Sequence, residues 1–266
     1  MGPRRVDPVT DPPREAAVRI TWIGHATVLI EVDGHRILTD PILTRRVAHL
    51  RRRRPIPQID PVDTVLVSHV HMDHLHVPSL RQVTPKANVV VPTGARPLVA
   101  RLESAGVREV VLGDRFEPTE GVTVEVVHAE HLSGRGPHSR VKAEPVGYII
   151  RAGGVAIYFA GDTDLFPGMS EFGPIDVALI PIWGWGPTLG EKHLTPVSAA
   201  EATTRILPVR VVPIHWGTYT PIQARRGSPP WLENPIAEFR EQLAHVGLED
   251  RLHVLYPGES TDVTPA

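Results

Sequence analysis

Three histidines and an aspartate fall within six residues, His69, His71, Asp73 and His74, in the run Ser68-His69-Val70-His71-Met72-Asp73-His74. Imidazole and carboxylate are the side chains that bind borderline transition metals such as zinc. His69 and His71 are two apart, which in extended chain puts both rings on one side, whereas Asp73 and His74 lie around the following turn and can address a second point in space. Two neighbouring metal ions would be served. The chain has no cysteine, which excludes disulfides, thiolate ligands and a cysteine nucleophile and leaves imidazole and carboxylate as the strong ligands.

The cluster directly follows Thr64-Val67, an apolar run of strand type, so the histidines stand where a strand turns into a loop. Similar Val- and Ile-rich runs occupy Val18-Ile23, Thr27-Val32, Arg36-Leu38, Asn88-Val91, Glu109-Leu112, Val122-Val127, Val146-Ile150, Val155-Ala160, Val177-Ile180, Val209-Ile214 and Leu252-Leu255. Asp33-Gly34 marks a hairpin. Helical periodicity is confined to Ala95-Ser104, to Val197-Leu207 with Thr195 as N-cap and Pro196 at the first helical position, and to Pro235-His245. This is a strand-dominated α/β pattern, with sheets expected to pack on each other and helices outside them.

With 266 residues, 41% hydrophobic, the chain suffices for one large domain or two small fused ones. Residues 1–17 are proline-rich and polar and read as a loose arm. A net charge of -2 and a pI near 6.7 offer no basic footprint for nucleic acid. There is no apolar segment after the N-terminal arginines and no run of membrane-spanning length, which makes a cytoplasmic location the default expectation. The one strong charge run is Thr44-Arg54, with arginine at 45, 46 and 51 to 54. It reads either as a solvated loop or as an electropositive rim for an anionic, phosphate-bearing substrate.

Ser68–His74 contains the full His-x-His-x-Asp-His signature, and the sequence therefore resembles the metallo-β-lactamase-fold hydrolases. Four further segments, Trp22-Thr27, Thr39-Pro41, His131-Gly136 and Pro213-Thr218, are similar to the subgroup that includes ascorbate-6-phosphate lactonase-like proteins and the N-acyl-phosphatidylethanolamine phospholipase D type. The resemblance implies a four-layer αββα sandwich, two packed mixed β-sheets flanked by helices, as a single domain over residues 18–266. It implies two divalent ions, zinc first and manganese or iron as alternatives. His69, His71 and His131 would hold one, Asp73, His74 and His215 the other, and Asp162 would bridge them. Asp162 follows the apolar run Val155-Ala160 and His215 follows Val209-Ile214, so both emerge at strand ends as His69 does. His128 competes with His131, but the Ser-Gly-Arg that follows His131 favours the latter.

The chemistry so implied is hydrolysis of a phosphodiester or an ester/lactone bond in a small, anionic substrate by a metal-bridging hydroxide, with Asp162 and Asp73 steering it. His193 reads either as an acid for the leaving group or as a surface-loop histidine. Asp40 reads as a turn cap or as a carboxylate orienting a ligand histidine. His25 is explained as well by packing and turn geometry as by chemistry. Arg135, Trp183 and Trp185 are the candidate substrate contacts, the tryptophans forming an apolar wall or simply core. Ile182-Trp183-Gly184-Trp185 departs from the subgroup, which more usually has a small residue and then tyrosine there, and puts the pocket in question. A di-iron oxidoreductase, a nuclease and a metal-bound regulatory module are the competing classes; the oligomeric state is open.

Overall fold

The computed structural model describes residues 18–136, 139–224 and 229–265; the stretch 1–17, expected to be a loose arm, lies outside the described residues. Alternation along the strands builds the architecture. In Thr64–Leu66 and the residue after it, Leu66 turns to one side while Val65 and Val67 turn to the other. In Asn88–Pro92, Val90 opposes Val89 and Val91 in the same way. One sheet therefore has two apolar faces and must be covered twice.

That seven-stranded sheet runs, in spatial order, Ser260–Val263, Val18–Gly24, Thr27–Val32, His35–Thr39, Thr64–Leu66, Asn88–Pro92 and Gly106–Val110. Pairing is antiparallel as far as His35–Thr39 and parallel from there on. The second sheet has six strands: Arg210–Ile214, Val177–Pro181, Val155–Phe159, Val146–Ala152, Val122–His128 and Arg115–Thr119, the first three parallel and the rest antiparallel. Ile20, Ile30 and Leu66 of the first sheet share one core with Tyr148, Ile157 and Leu179 of the second. The short helices Val77–Val83 and Arg96–Val99 close the far face of the first sheet through Leu80 and Val99. Pro196–Ile206 and Pro230–His245 cover the second through Ala199, Ala202, Phe239 and Leu243. The order of layers is helix, sheet, sheet, helix, as the resemblance implied.

Several boundaries differ from the sequence reading. Helix Ala95-Ser104 shrinks to Arg96–Val99, and strand Glu109-Leu112 becomes Gly106–Val110, with Leu112 in a turn. Leu252-Leu255 forms only a bridge from Leu252 to Val211, and the strand lies later, at Ser260–Val263. Pro235, read as a helix start, sits inside a helix that begins at Pro230, where Pro also fits the first turn. The arginine run folds into a small sheet, Arg46–Val47 with Leu50–Arg52, that pairs with Tyr219–Pro221. Among the described residues no helix is long and apolar enough to cross a membrane.

Candidate metal centre

The Thr64–Leu66 strand leads into Ser68, and a buried carboxylate organises the metal loop from there. Asp40 accepts from the Ser68 amide (2.7 Å), from the Ser68 hydroxyl (2.6 Å) and from Nδ1 of His74 (2.7 Å). Ser68 Oγ in turn lies 2.9 Å from Nδ1 of His69. Asp40 thus orients His74 directly, and His69 through Ser68, rather than capping a turn. With the rear nitrogens of His69 and His74 held, their Nε2 atoms aim into the site.

Two sets of donor atoms converge. His69 Nε2 lies 3.0 Å from His71 Nδ1, which lies 3.1 Å from His131 Nε2. His74 Nε2 lies 3.1 Å from His215 Nε2, and Asp73 Oδ2 lies 4.0 Å from the latter. Asp162 stands between the sets, Oδ2 at 3.1 Å from His74 Nε2 and Oδ1 at 3.2 Å from His215 Nε2, and its donor also groups with His131 and His193. The competing His128 is exposed and turned to Glu130.

The approach of Asp162 depends on the residue before it. Gly161 has φ +62°, and a Cβ there would lie 2.5 Å from Cβ of Ser68, so only glycine lets the two strand ends close on each other. Among the described residues, seven non-glycine residues have positive φ, and four of them, His25, Asp40, Lys192 and His215, are at or beside this site. The fold holds strained backbone where the donors converge.

A metal pair fits this donor set. Two nitrogens bound at about 2.0–2.1 Å to one tetrahedral zinc would be about 3.3 Å apart, close to the spacings seen within each set. Oδ1 of Asp162 is buried without a hydrogen bond, despite its nearness to His215, an orphaned anion that a cation would satisfy. Burial pushes the imidazoles of His69 and His71 down, that of His131 to about 4 and that of His215 to about 3, so their lone pairs are free at neutral pH. Burial works against ionisation of Asp73 and Asp162. For Asp73 it is outweighed by the hydrogen bond to His25 and the charge of His74, and for Asp162 by the charges of His215 and His74, so both carboxyls stay well below their ordinary range. His74 goes the other way: burial opposes its charge, but Asp162 and Asp40 raise it well above the usual imidazole range.

The loop 190–193 serves twice. Lys192 offers its carbonyl to Nδ1 of His131 at 2.7 Å, and His193 places Nε2 3.4 Å from Asp162 Oδ2 while Nδ1 donates to the Glu191 carbonyl at 2.9 Å. Burial lowers the His193 pKa, but the hydrogen bond and charge of Asp162 more than offset this, leaving it raised. His193 is therefore a site residue rather than a loop bystander in geometry.

A cavity of about 510 Å³ opens over the donors, walled by Leu50, Met72, Trp185 and Leu189, with His49 and Arg135 also on its lining. Trp185 stacks edge-on against His49. Trp183 is not on this lining. Its ring packs on the main core and borders a separate cleft with Trp231, because neighbouring positions 183 and 185 turn apart around Gly184, and its contribution is a carbonyl that holds Nδ1 of His215 at 2.7 Å. Arg135 reaches the cavity, yet one guanidinium nitrogen is committed to the carbonyls of Val70 and Leu75, bracing the metal loop.

Three of the arginines in the run, Arg51, Arg52 and Arg54, turn to groups other than the cavity in place of the electropositive rim considered from the sequence. Arg51 donates to the Ala224 carbonyl. Arg52 donates to the carbonyls of Ile23, Ile42 and Arg54. Arg54 lies over Tyr256 and near Glu233. Only the tip of that hairpin, Val47 to Leu50, lines the cavity. His25 goes further than the sequence suggested: it is buried and brings Nε2 to 3.2 Å from Asp73 Oδ2. Its position depends on pairs of positive-φ residues in a turn, which spacing does not reveal.

The β-lactamase superfamily domain model matches residues 35–216. A UPF0173 metal-dependent hydrolase of Methanopyrus kandleri is 32% identical over 251 residues, covering 91% of this chain and 99% of that protein. One from Nitratidesulfovibrio vulgaris is 35% identical over 249 residues, covering 91% and 94%. Among solved structures, a metallo hydrolase of the hyperthermophilic archaeon Ignicoccus hospitalis superposes with a TM-score of 0.70 at 24% identity, covering 93% of this chain and 98% of that one. The di-iron β-hydroxylase CmlA of Streptomyces venezuelae gives 0.64 at 18%, covering 96% and 55%. With its signature, its layers and its relatives in agreement, this chain belongs to the β-lactamase superfamily as a metal-dependent hydrolase of the metallo-β-lactamase fold.

Proposed function

We propose that this chain is a dinuclear metal-dependent hydrolase acting on an ester or lactone bond in a small molecule, with an apolar group beside the scissile bond. The observation that carries the reading is the pairing of two donor sets around Asp162, His69 with His71 and His131 and, beside them, Asp73 with His74, His215 and the adjoining His25, beneath a cavity walled by Leu50, Met72, Trp185 and Leu189. His69 Nε2, His71 Nδ1 and His131 Nε2 would hold one ion, Asp73, His74 and His215 the other, with Asp162 shared. Zinc suits four-coordinate imidazole and carboxylate sites best, manganese and iron being the alternatives. When bound, two divalent ions acidify a shared water toward neutral pKa and polarise the substrate oxygen.

The protein's own part is to position and to move protons. Asp73 and Asp162 orient the attacking oxygen. His193, tethered to the Glu191 carbonyl through Nδ1, carries a proton at Nε2 beside Asp162 and can hand it to the leaving oxygen. Trp185 and Leu50 exclude water from the apolar part of the substrate. A phosphodiester is the second reading, favoured by Arg135, the one arginine or lysine among the described lining residues.

The test is a panel of ester, lactone, phosphodiester and phosphomonoester substrates with zinc, manganese and iron, using Asp162→Asn as the blank. Apolar esters or lactones should lead, and Trp185→Ala should raise their KM roughly tenfold. A phosphodiester well ahead of the rest would favour the second reading. Protein with less than one ion per chain, whose activity no metal restores, would refute the function altogether, and a coloured iron centre after anaerobic purification would point to oxidative chemistry.

A further inference from the structure

Among the described residues, five histidines are buried: His25, His69, His74, His131 and His215. Four are ligands in the two-ion reading; His25, whose ring nitrogen lies among the donor atoms of Asp73, His74 and His215, is not one of them. Its ring lies against that of His215, tilted by 34° at a centroid distance of 3.9 Å, and brings Nε2 to 3.2 Å from Asp73 Oδ2.

The backbone turns tightly to hold that ring. Gly24 and His25 have φ of +126° and +57°, the first a conformation glycine takes freely and the second a left-handed one that few other residue types adopt. A Cβ on Gly24 would lie 2.6 Å from the Arg52 guanidinium, which donates to the Ile23 carbonyl just before the turn. The His25 amide donates to Thr218 Oγ1 at 2.8 Å, and its carbonyl accepts from Trp22 Nε1 and from the His215 amide, both at 2.9 Å. The same loop that delivers His215 therefore locks His25 in register with it.

His25 also differs from the four buried ligand imidazoles. Those of His69, His74, His131 and His215 each have Nδ1 held from behind, by Ser68, Asp40, the Lys192 carbonyl and the Trp183 carbonyl. No hydrogen bond to Nδ1 of His25 is present among the described residues. At 3.2 Å from the Asp73 carboxylate, which accepts hydrogen bonds when ionised, Nε2 of His25 is placed to donate to it.

We infer that His25 is a positioning residue for the second metal position: it fixes the carboxylate of Asp73 by a hydrogen bond and the ring of His215 by direct ring contact, without itself being a ligand. The inference rests on the two-ion reading.

The test is metal content by elemental analysis, together with cobalt(II) titration of metal-stripped protein followed by absorption and calorimetry. The native chain should take up two ions. His25→Ala should leave the tighter step at the first position unchanged and weaken the second about 10- to 100-fold, the usual cost of removing a group that orients a ligand. His25→Gln, whose amide nitrogen can still donate to Asp73, should recover most of that loss, and the two variants should melt at the same temperature before metal is added. Native affinity for both ions in His25→Ala overturns the inference, as does equal weakening of both or a Gln variant no better than Ala. A native chain that binds one ion defeats the two-ion reading itself, and the inference with it.

Discussion

The loop Ser68–His74 and the hairpin 44–54 each hold a dense cluster of titratable side chains, and both border the same cavity. They behave in opposite ways. The histidines and Asp73 turn toward one another and meet donors from three other strand ends, whereas Arg51 and Arg52 turn to separate backbone carbonyls, at Ala224 for Arg51 and at Ile23, Ile42 and Arg54 for Arg52. The difference is chemical. An imidazole with its rear nitrogen held has one donor atom to direct, so several can share a point. A guanidinium carries five hydrogens and repels its neighbours, so a run of them disperses until each finds oxygen. A cluster of like residues marks a site only if the fold can turn its members toward one another.

The largest effect should come from the point of convergence. Asp162→Asn is expected to lower kcat at least about 100-fold, more than the loss of an outer partner costs, with little change in the far-ultraviolet circular dichroism. A variant of near-native activity would break the contrast, since convergence would then have no chemical consequence.

Next comes the carboxylate that aims the loop. Asp40 is buried and accepts from Ser68 twice and from His74. Asp40→Asn turns one acceptor into a donor facing donors and should destabilise the protein by about 3–5 kcal/mol in urea unfolding, the range for breaking a buried ion pair.

Acid should act on the histidines and spare the arginines. In metal-stripped protein burial lowers His69 and His71 and takes His131 and His215 to about 4 and 3, while the unfolded chain titrates near 6.5. The unfolded state then binds more protons in that window, so stability from these groups is fully present above about pH 6.5 and falls as pH drops toward 4. His74 and His193 contribute with the opposite sign, their stabilisation being present below 6.5 and lost as pH rises through their elevated pKa values. Four groups against two predict a net loss on acidification, readable as the urea midpoint between pH 7 and 4.5; a midpoint that rises instead would mean that His74 and His193 dominate.

The smallest effects belong to the hairpin. Arg52→Ala removes donors from three carbonyls and should cost about 1–3 kcal/mol without changing KM for an anionic substrate. Arg45→Ala with Arg46→Ala, both exposed, should stay within about 0.5 kcal/mol and leave KM unchanged. A KM that rises for anionic substrates in either would restore the electropositive rim.

Much of this was readable along the chain because it is local. The spacing of His69, His71, Asp73 and His74 needs only a strand and the turn after it, and alternation in Thr27–Val32 or Val122–His128 needs only a face to bury. Asp162 and His215 could be placed as strand-end residues by the same logic. The small sheet of Arg46–Val47, Leu50–Arg52 and Tyr219–Pro221 was not legible, because its strands are two or three residues long and the Tyr219–Pro221 strand comes from far along the chain. Nor was the helix Val77–Val83, whose short apolar pattern resembles a loop next to the metal run.

By itself, then, the sequence determined which atoms could bind metal and that they would stand at the ends of strands, since both follow from residue type and from periods of two. Only the tertiary structure decided direction. It closed Gly161 on Ser68, turned Trp185 into the cavity and Trp183 away from it, spread the arginines, and brought His25 to Asp73 across 48 residues of sequence. Those outcomes depend on backbone approaches of about an ångström and on turns at positive φ, set by how the two sheets pack and carried by no single stretch of chain.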